Sequence, residues 1–98
     1  MGVRVITAFV LIQVEADTIT EAAQTIADTD GVVEVYSCAG DVDLIAMIRV
    51  AAHEDIADLV PGRISRVPGV LNTATHIAFR SYSRADTDST FTAGLENG

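Results

Sequence analysis

One pattern occurs twice and limits the fold of this chain more than any other feature. "QVEAD…TDGVVEV" and "RVAAH…VPGVLNT" both read as strand end, helix, glycine turn and strand. With Gln13 set on Arg49, the pairs Gly31-Val32 and Gly69-Val70 differ by only two residues in offset. Between the two halves lies "SCAGDVD", Ser37 to Asp43, flanked by runs of β-branched residues, where a hairpin turn is expected.

The elements follow from this frame. Val3 to Val14 is rich in Val, Ile and Phe and predicts a strand whose apolar middle should be covered on both faces. Asp17 or Thr18 can open a helix, with Glu21 at capping-box spacing from Thr18. Ile19, Ala22, Ala23, Ile26 and Ala27 give that helix one apolar stripe, and Asp30-Gly31 stops it. Val32 to Ser37 is a second strand, and the turn around Ala39-Gly40-Asp41 leads to a third from Asp43 to Val50. A second helix should run from His53 or Glu54 to about Arg66. Pro61-Gly62 interrupts it, and a proline inside a helix costs roughly 3 kcal/mol, so a kink or two pieces is expected. Pro68-Gly69 ends it, and Val70 to Tyr82 alternates as the last strand. From Arg84 on the chain is polar and small and reads as a mobile tail, which divides it into a domain over 1–83 and a tail over 84–98. Two βαβ halves joined by a hairpin make βαββαβ. Right-handed crossovers then give an α+β, ferredoxin-like fold: a four-stranded antiparallel sheet with two helices on one face.

That arrangement leaves a face uncovered. Phe9, Leu11, Tyr36, Cys38, Ile45 and Met47 cannot all point at two helices, because side chains alternate along a strand. A contiguous apolar patch of this kind marks an interface. The expected partner is the sheet of a second copy in a two-fold dimer, forming a dimeric α/β barrel.

Charge and composition narrow the function. At 98 residues the chain holds one core, and 49% hydrophobic residues can fill it. Its net charge is −8, with every basic residue an arginine, so it lacks the basic face that phosphate neutralisation requires. Direct DNA binding is not expected. The apolar start carries Arg4 and soon reaches Gln13 and Glu15, too short a run to span a bilayer. The single cysteine, Cys38, excludes an internal disulfide framework and fits a reduced, cytoplasmic setting. Cys38, His53 and His76 match no zinc spacing, and there is no phosphate loop or Ser-His-Asp signature, so neither a metal nor a cofactor is expected.

The central turn carries more than a turn needs: Gly40 with carboxylates at both Asp41 and Asp43. Asp beside Gly is common in turns, so a purely structural role competes with a binding one. "GVVEVYSCAGDVDLIAMIRV", then a helix, then "RVPGVLNTATHIAF", resembles the effector-binding (RAM) domain of the Lrp/AsnC, or feast/famine, transcription regulators. The resemblance covers about Val5 to Tyr82 and rests on the Gly-Asp-x-Asp turn, Pro-Gly-Val and a Thr-x-Thr strand in that order. Members usually carry an N-terminal helix-turn-helix, and this chain resembles a stand-alone form without it. The resemblance implies sheet-on-sheet dimers that assemble into octamers or similar rings, with small effectors, usually amino acids, held between dimers. It further implies that the Gly40 backbone approaches the ligand, Asp41 takes a variable turn position and Asp43 meets the effector's amino group. Thr73 and Thr75 then match the pair whose hydroxyls meet a carboxylate or side chain, and His76 stands where a Tyr is sometimes found. Val42 stands where Tyr or Ala is common, a departure that bears on the pocket's shape.

The expectation is a non-enzymatic, ligand-responsive oligomeric module that senses alone or assembles with a full-length Lrp/AsnC regulator and so modulates transcription. Two alternatives stand beside it. One is a dimeric α+β-barrel enzyme of the small monooxygenase type, whose pocket would lie between sheet and helices within one subunit. The other is a pure assembly partner with a vestigial pocket, in which Asp43→Ala should change nothing. Thr73 and Thr75 also suit a strand without any binding role, and His76 also suits a half-buried strand position.

Overall fold

Four strands form one sheet in the order β2-β3-β1-β4, with every neighbouring pair antiparallel. The structure, a computed structural model, describes residues 5–84. The elements are β1 (Ile6–Val14), α1 (Ile19–Ala27), β2 (Val32–Ser37), β3 (Leu44–Val50), α2 (His53–Leu59) and β4 (Val70–Ile77). The fold is the ferredoxin-like βαββαβ arrangement expected from the doubled pattern. The expected tail, apart from Arg84, lies outside the described residues, as do Val3 and Arg4 of the expected first strand.

Alternation along the strands sorts the core. Ala8, Val10, Ile12 and Val14 of β1 are buried, as are Leu44, Ala46 and Ile48 of β3, and all face the helices. Ala22 and Ile26 of α1, Leu59 of α2, and Val60, Ile64 and Val67 close over them. Burying each large aliphatic side chain contributes about 1.5–3 kcal/mol relative to leaving it in water. No polar or charged side chain among the described residues is buried, so the space between sheet and helices is filled with hydrocarbon.

The local chemistry departs from the sequence reading at two places, the entry to α1 and the end of β4. Thr18 does not cap α1: the chain enters through a 3-10 turn, Ala16–Thr18, and the Thr18 hydroxyl donates back to the Glu15 carbonyl at 2.9 Å. A carboxylate does this work at α2 instead, where Asp55 accepts the Ala52 N–H at 3.0 Å. The second helix is in two pieces, as Pro61-Gly62 predicts, with α2 ending at Leu59 and a 3-10 turn following over Ile64–Arg66. The last strand ends at Ile77 rather than Tyr82. Ile77 is paired with Ala8 and the Ala78 N–H donates to the Thr7 carbonyl, near the beginning of β1. Beyond that point the chain runs out of strand to pair with, and Phe79 is 99% exposed.

The other face of the sheet is open. Register places Phe9 and Leu11 of β1 beside Met47 and Ile45 of β3, and Tyr36 of β2 opposite Ile45. By the same alternation Cys38 continues this face past the end of β2. None of these side chains belongs to the buried core of the described residues, and Tyr36 remains 49% exposed. Among the described residues no helix is long and apolar enough to cross a membrane.

Candidate functional site at the β2–β3 turn

The β2–β3 connection is a six-residue loop, 38–43, closed by the Cys38 N–H donating to the Asp43 carbonyl at 2.9 Å. Gly40 sits at φ +128°, a conformation that side-chain-bearing residues rarely adopt, and no atom lies within 4 Å of where a Cβ would stand. The loop tip is thus open to an incoming group. Asp41 is exposed.

Two bonds of Asp43 tie this loop to the end of β1. The Asp43 carboxylate accepts the Val14 N–H at 2.9 Å, and the Asp43 N–H donates to the Ile12 carbonyl at 3.0 Å. The pairing of β1 with β4 shifts register between Gln13 and Val14, which breaks the ladder there. On the opposite side of β1 the ladder with β3 ends at Ile12, opposite Leu44, and the Asp43 carboxylate takes the next N–H on that side, that of Val14, so it holds backbone as well as offering charge. The Gln13 side chain then donates to the Asp41 carbonyl at 3.2 Å, and Asn72 of β4 reaches the Gln13 side-chain oxygen at 3.5 Å. Asn72, Gln13 and Asp41 make a polar relay along the end of the sheet, from one edge strand to the turn.

The sequence did not single out Gln13 or Asn72. Their signal is that each is polar on an otherwise apolar face. Only the register, which pairs Gln13 with Asn72, shows that they meet.

The six expected ligand residues fall on three surfaces of a single chain. Gly40, Asp41 and Asp43 lie at the loop. Thr73 and Thr75 pair with Ile12 and Val10 and so face the helix side, where the Thr73 hydroxyl lies 3.5 Å from that of Ser65. His76 pairs with Phe9 and belongs to the open face. The loop residues are brought together with Gln13 and Asn72, while Thr75 and His76 are not brought to them. A separate hollow of about 520 Å³ lies across the open face toward the Val5 and Arg49 end of the sheet, lined by Phe9, Met47, Arg49, Arg80 and Tyr82 among others. Among the described residues no group of three or more His, Cys, Asp or Glu side chains is placed to hold a metal ion.

Comparison with known protein families matches residues 7–87 to the Lrp/AsnC ligand-binding domain. The chain belongs to the Lrp/AsnC family. An uncharacterised HTH-type transcriptional regulator of Pyrococcus furiosus is 37% identical over 76 residues, a match that takes in 74% of this chain and 51% of the relative. The chain therefore spans about half the length of the curated Lrp/AsnC relatives it matches. A crystal structure of TTHA0845 from Thermus thermophilus superposes with a TM-score of 0.76 at 40% identity, covering 81% of this chain and 99% of that one. A feast or famine regulatory protein of M. tuberculosis, solved in complex with L-methionine, superposes with a TM-score of 0.68 at 27% identity over 81% of this chain and 54% of that one.

Proposed function

We propose that this Lrp/AsnC domain binds an amino acid or a closely related metabolite between copies of itself and passes the binding event on through assembly. The observation that carries the reading is the loop at Gly40. Among the described residues nothing beyond its chain neighbours lies within 4 Å of a Cβ at Gly40, while Asp43 and Gln13 tie the loop to β1. A preformed loop with a carboxylate and free backbone groups suits a zwitterion, whose ammonium needs an acceptor and whose carboxylate needs donors. Charge-assisted hydrogen bonds of roughly 1.5–3 kcal/mol each give selectivity once water is excluded.

Because Thr73, Thr75 and His76 lie on other surfaces, a site using them takes them from a neighbouring chain. Ligand then favours the assembly that completes the pocket, which couples sensing to oligomeric state. The M. tuberculosis relative with bound L-methionine supports the effector class. The reading places the protein in the cytoplasm as a transcription-modulating module of 1–83 with a tail over 84–98, acting alone or with a full-length Lrp/AsnC regulator. The hydrocarbon-filled space between sheet and helices supports a binding role over the monooxygenase alternative, which needs its pocket there.

Isothermal titration with a panel of amino acids, methionine first, tests the reading. Asp43→Ala is a poor control, because it also removes the acceptor of the Val14 N–H. Asp43→Asn keeps an oxygen for that bond and removes the charge. Wild type should bind at least one amino acid, and Asp43→Asn should weaken that binding by tenfold or more, about 1.4 kcal/mol, while unfolding at a similar urea concentration. No heat for any amino acid with the assembled protein would refute the sensor and leave the assembly partner.

A further inference from the structure

The ladders on both sides of β1 end beside one residue. With β3 the pairing stops at Ile12, opposite Leu44. With β4 the register shifts just after the pair of Gln13 and Asn72. Gln13 is therefore the first residue of β1 past one ladder and the last before the break in the other. By alternation its side chain lies on the same side of the strand as Phe9 and Leu11. It stands where β1, β4 and the loop leading into β3 diverge.

The 38–43 loop needs a hold at this point. Its base is closed by the Cys38 N–H on the Asp43 carbonyl and anchored by the two bonds of Asp43 to β1. Among the described residues, the stretch 39–42 makes one hydrogen bond, from the Gln13 side chain to the Asp41 carbonyl at 3.2 Å. Gly40 gives this stretch further freedom, since glycine populates both signs of φ. A loose loop has to be ordered when a ligand binds, and that entropy loss lowers the affinity.

The direction of the Gln13 amide follows from its neighbours. A carbonyl oxygen only accepts, so Nε2 faces Asp41 and Oε1 faces away. There the Asn72 Nδ2 lies at 3.5 Å, a long contact that favours this orientation. The flipped amide would set oxygen against oxygen at Asp41. Both side chains are exposed and outside the aliphatic core, so the pair serves the loop rather than the stability of the fold.

We infer that Gln13 is a positioning residue for the effector loop, with Asn72 orienting its amide. It acts on the effector through the Asp41 carbonyl, and so through the peptide groups between Gly40 and Asp43. The inference deepens the sensor reading and rests on it. It carries a consequence that a direct contact does not. The loop backbone and Asp43 meet the ammonium and carboxylate that all amino acids share. A loosened loop therefore weakens every effector by the same factor, whereas loss of a side-chain contact weakens some effectors more than others.

Two variants of the full-length protein test it. Gln13→Met keeps the length of the side chain and removes the N–H donor. Asn72→Ala removes the orienting amide. Each variant, and the two combined, is titrated calorimetrically with every amino acid that the wild type binds, beside urea unfolding. Gln13→Met should weaken each of them by about fivefold or more, alike to within about twofold, with an unfolding midpoint close to that of wild type. Asn72→Ala should weaken them about twofold to threefold, and should add nothing once Gln13 is Met.

Wild-type affinity in Gln13→Met would overturn the inference and leave the sensor reading standing. Losses that differ between amino acids would overturn it by making Gln13 a ligand contact. A Gln13→Met protein that unfolds well before wild type would overturn it by making Gln13 a structural residue. Where the wild type binds a single amino acid, the combined variant decides, and additive losses would overturn the inference. No binding by the wild type would remove the sensor reading and this inference with it.

Discussion

At the scale of single residues, the double duty of Asp43 explains why the site was only half legible in the sequence. The Gly-Asp-x-Asp spacing marks the loop, but the Val14 N–H that Asp43 accepts is 29 positions away and depends on the β1–β3 register, which no local pattern reveals. The same holds for Gln13, whose partners Asp41 and Asn72 come from two other parts of the chain. Glycines were easier to read, and they differ in a testable way. Gly40 and Gly69 both have positive φ, +128° and +95°. Around Gly40 there is open space, so Gly40→Ala carries only the conformational cost, on the order of 1–3 kcal/mol. A Cβ on Gly69 would overlap the Thr18 side chain, which is held by its own bond to Glu15, while the Glu15 N–H donates to the Gly69 carbonyl. Gly69→Ala should therefore lower the urea midpoint clearly more than Gly40→Ala. Equal midpoints would mean that the entry to α1 yields more easily than its bonds indicate.

At the scale of elements, periodicity located the strands and helices because each buries one face, and Pro61 announced the break after α2. The break costs the fold little because the residues after it still reach the core. Ile64, in the 3-10 turn beyond the break, is fully buried, and the Ser65 N–H is satisfied by the Val60 carbonyl at 2.8 Å. Ile64→Ala should destabilise the domain by about 2–5 kcal/mol, as for a buried aliphatic side chain within a continuous helix. Chemical denaturation checks this, and a loss below about 1 kcal/mol would show that the segment is only loosely attached. The end of β4 was misread for a reason outside the segment itself. "AFRSY" alternates well enough for a strand, but a strand also needs a neighbour, and β1 begins at Ile6.

At the scale of the whole molecule, one chain satisfies only one side of its sheet. The helix side is closed by aliphatic packing, whereas Phe9, Leu11, Ile45, Met47 and Tyr36 face outward from the other side. The apolar run in β1 already implied cover on both faces, and among the described residues only the helix side is closed. Family membership, the exposed face and the scatter of the expected ligand residues all support the proposal that the functional unit contains more than one chain. The most direct test is the mass of the purified protein by sedimentation equilibrium at micromolar concentration, with Leu11→Glu beside it. The wild type should sediment at two or more multiples of the 10.3 kDa chain, and the charged open-face variant should shift toward smaller species while keeping its circular dichroism. A wild-type protein that is folded and sediments at 10.3 kDa would contradict the account.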